Sequence, residues 1–200
     1  MTKVNTLLLL FFALLIRPDS AIYSQQSDYT FQHLTPEQGL PHTVYSILKG
    51  SRGFMWFATI NGLYRYDGQS FKSYRYQPDD SSSISGNLLS SYLFEDKDAC
   101  IWVGTQANGL NKFNRSTETF ERFKYNPNDP GCISNNKIRL LFQDASGVLW
   151  IATDNGLNKY HPDTKEFSVY KPDANHLKSG DNVIMSLFED KKGVFLGWNR

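Results

Sequence analysis

The sequence predicts an all-β fold, and three observations predict it. A long pattern recurs around three tryptophans, as FMWFATINGLYRY, CIWVGTQANGLNKF and VLWIATDNGLNKY, with Trp56, Trp102 and Trp150 spaced 46 and 48 residues apart. Each copy holds short apolar or aromatic runs divided by turn residues, with no sustained 3.6-residue period after residue 24. Aromatics make up 14% of the chain, and many stand beside β-branched residues in those runs, as strands prefer. Four antiparallel strands repeated every 40 to 50 residues or so make a β-propeller blade. The expected architecture is an incomplete β-propeller of three four-stranded antiparallel blades plus the start of a fourth.

The N-terminal stretch differs in kind. MTKVNTLLLLFFALLIRPDSAIYS has Lys3, an apolar run from Leu7 to Ile16, then small and polar residues. That is the layout of a secretory signal peptide over residues 1–24, cleaved near 21–24. The run falls well short of the roughly 20 residues that span a bilayer. No cysteine follows it to carry a lipid, and no later segment is apolar enough to suggest a membrane span. Residues 25–200 then form the partial propeller, with blades at about 40–76, 88–125 and 137–171 and a fourth starting at 182–195.

In the first unit the expected strands are Val44–Ile47, Phe54–Thr59, Leu63–Tyr66 and Phe71–Tyr74. Ser51-Arg52-Gly53, Asn61-Gly62 and Asp67-Gly68 supply the turns, the last two suited to positive φ and tight hairpins. The second strand of each unit is almost wholly apolar, as expected of a strand buried on both faces between stacked blades. QPDDSSSISGN, NPNDPGCISNN and KPDANHLKSGDN separate the units and are rich in residues that end regular structure. Asp28–Leu34 resembles the fourth strands FKSY, FERF and FSVY, and is expected to lie outside blade one as the outermost strand of another blade.

The full pattern is an apolar run, Asp-x-x-Gly, two apolar residues, Trp-[Ile/Val]-[Gly/Ala]-Thr, then Asn-Gly-Leu and an aromatic. It stands here as QDASGVLWIATDNGLNKY, and it resembles the two-component regulator propeller repeat. FQHLTPEQGLPHTVYSIL is similar to the usual opening of that family, and the likeness extends over nearly all of residues 28–195. The family forms the periplasmic sensing region of hybrid histidine kinases. The resemblance implies a periplasmic sensor for oligosaccharides, acting on a kinase further along the intact protein, which would work as a homodimer.

Each motif also has a structural reading. Trp56, Trp102 and Trp150 sit mid-strand and are expected between blades rather than on a sugar-stacking rim. Asn61-Gly62, Asn108-Gly109 and Asn155-Gly156 are read as hairpin turns, the second with one extra residue and so a different shape. Glu95-Asp96, Gln143-Asp144 and Glu189-Asp190 hold one repeat position. Paired carboxylates suit acid–base catalysis, but an active site occurs once and not once per blade, so the Asp is expected to accept backbone N–H groups in its turn. His33, His42, His161 and His176 have no ligand spacing, and no phosphate-cradling glycine loop is present. No catalytic or metal residues and no cofactor are predicted, and no ligand-binding residue can be singled out. The reading is not an enzyme.

With 21 basic and 20 acidic side chains, the chain lacks the basic surface that nucleic acid needs. Cys100 and Cys132 suggest a disulfide in an exported chain, but the register opposes it. Cys100 aligns with Phe54 and Val148 at the start of a second strand, and Cys132 aligns with Ser83 in an inter-blade loop. Those points lie at opposite ends of a blade, roughly 17–20 Å apart, whereas a disulfide holds Cα atoms about 4.4–6.8 Å apart. Open blade faces would expose apolar surface, so the chain is expected to be unstable by itself.

The final GVFLGWNR puts Leu196 where the repeat has Trp. A frameshift after Phe195 accounts for it: TTT TGG GTT GGA ACA GAT AAT encodes the expected continuation, and one inserted T turns it into TTT TTG GGT TGG AAC AGA TAA, which reads Phe-Leu-Gly-Trp-Asn-Arg and stop. A divergent blade is the alternative. The sequence thus reads as a truncated N-terminal piece of a periplasmic oligosaccharide sensor. A carbohydrate-active propeller enzyme and a protein-binding scaffold are the other readings.

Overall fold

The computed structural model describes residues 34–171, 183–191, 193 and 195–199. The first sheet has the order β1 (Val44–Lys49), β2 (Met55–Thr59), β3 (Gly62–Tyr66), β4 (Phe71–Tyr74). The second runs β5 (Leu89–Glu95), β6 (Ile101–Thr105), β7 (Leu110–Asn114), β8 (Thr119–Phe123), and the third β9 (Ile138–Gln143), β10 (Leu149–Thr153), β11 (Gly156–His161), β12 (Glu166–Tyr170). All pairings are antiparallel meanders, and among the described residues no barrel closes. The first strands β1, β5 and β9 lie beside one another, so they line the propeller axis.

The expected blades are present, with two corrections. The fourth unit does not stop its pattern at residue 195: β13 (Ile184–Glu189) pairs with β14 (Phe195–Asn199). The register places Phe188 opposite Leu196, as Leu48 faces Trp56, Phe94 faces Trp102 and Phe142 faces Trp150. Backbone pairing needs no particular side chain, so Leu196 holds the Trp position in the ladder. The other correction concerns the outer face of blade one, which does not stand bare. Leu40, Phe57 and Tyr64 form a small core there with Leu34, Val44, Met55, Tyr66 and Phe71. The chain before β1 folds back over the sheet, although Tyr45 and Ile47 remain 36% and 59% exposed. The expected strand Asp28–Leu34 falls outside the described residues except for Leu34, which is not in a strand.

The main cores lie between blades. Trp56, Ala58, Leu63 and Tyr74 of blade one meet Leu89, Ile101, Val103, Phe113 and Phe120 of blade two, with Ile84 of the connecting loop between them. Trp102, Leu110 and Phe123 meet the matching residues of blade three, with Ile133 in the loop position. Trp56 and Trp102 are 0% and 1% exposed, as expected of residues clamped between sheets, while Trp150 is only half-buried. Edge-to-face geometry recurs: Trp56 and Phe113 stand 5.1 Å apart, and Trp102 and Tyr160 5.0 Å.

The loops are tied in by one polar device. The Ser85 N–H donates to Asn111 Oδ1 of the next blade at 2.8 Å, and the Ser134 N–H donates to Asn158 Oδ1 at 2.8 Å. Both asparagines are fully buried, and each also donates to a β-strand carbonyl, Val103 and Ile151 respectively. Buried amides satisfied in this way fix the loop instead of destabilising the core. The two cysteines are free, as the register requires. Cys132 Sγ accepts the Asn126 N–H at 3.1 Å, just as Ser83 Oγ accepts the Gln77 N–H at 2.9 Å, so the thiol stands in for a loop hydroxyl.

Candidate functional site

The repeated acids prove to have two separate duties. Asp96 accepts the Cys100 and Asp98 N–H groups and, at 2.7 Å, the indole N–H of Trp102. Asp144 does the same for Val148 and Trp150, the latter at 2.8 Å. Burial opposes ionisation of Asp144, but the bonds from Trp150, Ser146 and Val148 outweigh it and hold the carboxyl below its ordinary value of 3.8. The turn role is as expected.

The preceding residue faces the other way. Glu95 accepts the Ser51 N–H at 2.6 Å and the Ser51 hydroxyl at 2.7 Å from blade one. Gln143 accepts the Lys97 N–H at 2.9 Å, and Glu189 the Ala145 N–H at 2.8 Å. Blades two and three and the fourth unit therefore each clasp the turn of the unit before them, a role the sequence reading missed. Adjacent letters in the chain hid it, because the two side chains serve different sheets.

The Asn-Gly pairs are turns. Gly62, Gly109 and Gly156 adopt φ of 105°, 89° and 113°, and a Cβ at Gly62 would stand 2.5 Å from the Tyr74 carbonyl oxygen. Thr59, Thr105 and Thr153 donate to those glycine carbonyls, so the extra residue of the second hairpin is absorbed between Thr105 and Gly109. His42 is exposed ahead of β1, and His161 bonds Ser168 Oγ at 2.8 Å. His33 and His176 lie outside the described residues.

Besides a hollow of about 340 Å³ beside the 125–134 loop, lined by Tyr125, Asp129, Cys132 and Lys171, two concavities are candidates for a ligand. A groove of about 720 Å³ crosses the turns of blade two. Three of its charged groups are engaged with the fold: Arg115 with Glu95 at 2.5 Å, Lys165 with Glu121 at 2.5 Å, and Lys112 over the Trp102 ring at 5.2 Å. The second, about 350 Å³, lies on the axial side between β5 and β9 and is lined by Ser90, Tyr92, Gln106, Lys137, Arg139 and Met185. Here Asp154 pairs with Arg139 Nε and, at 3.3 Å, with Lys137 Nζ. Burial raises the Asp154 pKa, and these two cations more than reverse it, leaving the carboxyl below its ordinary value.

Aligning the repeats for their shared positions passed over that cluster, because these three positions are ones where the units differ. Among the described residues no helix is long and apolar enough to cross a membrane.

Comparison with known proteins gives the cluster its setting. Residues 132–155 match the family model described as "Two component regulator propeller". The extracellular domain described as that of a hybrid two-component system from B. thetaiotaomicron superposes with a TM-score of 0.74 at 32% identity, over 83% of this chain and 23% of that one. A second B. thetaiotaomicron extracellular domain, described as belonging to a one-component system, gives 0.64 at 29% identity over 87% of this chain and 23% of that one. Histidine kinase P4 of Formosa agariphila is 33% identical over 104 residues, which is 51% of this chain and 7% of the kinase. The chain thus spans under a quarter of each of these relatives. Over residues 132–155 the repeat unit is thus similar to the two-component regulator propeller repeat.

Proposed function

We propose that the chain is the N-terminal part of an extracytoplasmic sensor, exported by its first 24 residues, that detects oligosaccharides and controls a kinase further along the intact protein. The observation that carries this reading is the 32% identity to the extracellular domain of a hybrid two-component system across almost the whole described propeller, joined to an axial cleft lined by residues that differ from blade to blade. A rigid repeat scaffold with one non-repeated patch suits recognition, since repetition supplies stability and the exception supplies selectivity. Residues that recur in every blade serve turns and clasps in the described structure, which leaves them little room for catalytic work.

Calorimetric titration of the chain against oligosaccharides of defined composition tests the sensing role. Binding accompanied by a rise in melting temperature is expected, and failure of every sugar class to bind overturns it. Sequencing past codon 200 tests the longer protein: further propeller repeats, a membrane span and a kinase are expected there in one of the frames, and their absence from all frames overturns that part.

A further inference from the structure

We infer that the axial cleft between blades two and three is a subsite for an acidic sugar, held through a carboxylate or a sulfate group by Lys137 and Arg139. The inference deepens the sensor reading and rests on it.

The repeat itself points to the site. At the position of Lys137 the other units carry Thr43, Leu88 and Val183, and at that of Arg139 they carry Tyr45, Ser90 and Met185. At the position of Asp154 the first two blades carry Ile60 and Gln106. Ionised groups thus replace neutral ones at three places in one blade, and folding brings all three together. The Asp154 N–H donates to the Lys137 carbonyl at 3.3 Å, a backbone link that blades one and two share and that here sets the charged side chains beside one another. Scattered surface charge has no reason to converge in this way.

The cluster is built to take an anion. Two cations face one carboxylate, so one positive charge remains unmatched within it. Asp154 engages Arg139 through Nε, and among the described residues no hydrogen bond to the terminal nitrogens Nη1 and Nη2 is recorded. Those nitrogens offer the forked donor geometry that carboxylates and sulfates accept. Lys137 is 44% exposed and Arg139 28%, accessible yet partly shielded, a setting in which charge attraction exceeds its value in open water. Tyr92 lines the same cleft and provides an apolar face for a sugar ring, and the Gln106 amide lies alongside for its hydroxyls. The cavity, about 350 Å³, has room for one or two sugar rings.

Calorimetry on the full chain at low ionic strength tests this with three probes of equal length: oligogalacturonides, which carry only carboxylates; carrageenan oligosaccharides, which carry only sulfates; and neutral malto-oligosaccharides. At least one acidic probe should bind about tenfold or more tighter than the neutral one, with affinity falling as salt is raised. Arg139→Gln and Lys137→Gln should each weaken that binding about tenfold, the value of a charge-assisted bond. Asp154→Asn should tighten it, because removal of the competing carboxylate frees both cations. A purely structural cluster would give the opposite sign. The probe that binds identifies the acidic group. Equal binding of neutral and acidic probes, or acidic binding untouched by Arg139→Gln and Lys137→Gln, overturns the subsite while leaving the sensor reading intact. Failure of all three probes overturns the subsite, while the sensor reading falls only if every other sugar class fails as well.

Discussion

The junction between blades one and two and the junction between blades two and three use the same positions with different chemistry. At the second, Trp102 donates its indole N–H to Asp96. At the first, the equivalent of Asp96 is Gly50, and Trp56 Nε1 is buried with no hydrogen-bond partner. The outer ion pairs are reversed as well. Glu118 of blade two reaches back to Lys72 and, at 2.8 Å, to Arg65 of blade one. Lys165 of blade three reaches back to Glu121 of blade two. Glu118 and Lys165 hold the same turn position, both with positive φ, at 54° and 62°. Apolar positions are therefore interchangeable between blades, whereas polar ones make each junction individual. A carboxylate that fits one junction repels at the other.

The comparison can be broken most heavily at the tryptophans. Trp102→Ala and Trp56→Ala should each cost about 3–5 kcal/mol by leaving a cavity between sheets, read as a fall in thermal or denaturant midpoint. A smaller effect at either would show that the junctions are not equivalent even in their apolar part. Asp96→Ala should cost about 1–3 kcal/mol, because it strands the Trp102 indole and the turn N–H groups and so copies the blade-one arrangement. Gly50→Asp is the reverse experiment and should raise stability by about 1 kcal/mol. A Cβ there would stand 3.1 Å from Trp56 Nε1, so a fall in stability would show that this close contact outweighs the new bond.

Lys72→Glu should cost under about 1 kcal/mol, and combining it with Glu118→Lys should recover part of that loss. The acid limb is the subtlest test. Bonds from Lys72 and Arg65 lower the Glu118 pKa, and Asp144 and Asp154 are lowered too, because their bonds outweigh burial. A depressed folded-state pKa gives stability that is complete above the ordinary carboxylate value and is lost as pH falls through the lower folded one. The melting temperature should therefore drop below about pH 4, and Glu118→Gln should flatten part of that slope.

Much of this was legible beforehand. The first unit's expected strands Val44–Ile47 and Phe71–Tyr74 match β1 and β4 to within two residues, because alternation and Gly turns act locally. Trp56 and Trp102 are buried between sheets for the reason their apolar neighbours suggested. Three features escaped. Glu95 and Asp96 look like one acidic motif, yet one serves its own turn and the other a turn 44 residues away. Leu34 and Leu40 carry no periodicity, so nothing foretold that they would cover blade one. Lys137, Arg139 and Asp154 are separated in the chain and converge only when the hairpin of one blade stands over its own inner strand.

The clasp has an evolutionary consequence. Glu95, Gln143 and Glu189 each present an acceptor to the unit before them, so any of these units could be duplicated, deleted or exchanged by recombination and still engage its new predecessor. The first unit carries Lys49 at that position, and an ammonium has no lone pair to offer a backbone N–H. A gene conversion that copied unit one into the interior would lose the link, while a single codon change at 49 would restore it. Duplication of the units that carry the acceptor would therefore keep the link, whereas duplication of unit one would not.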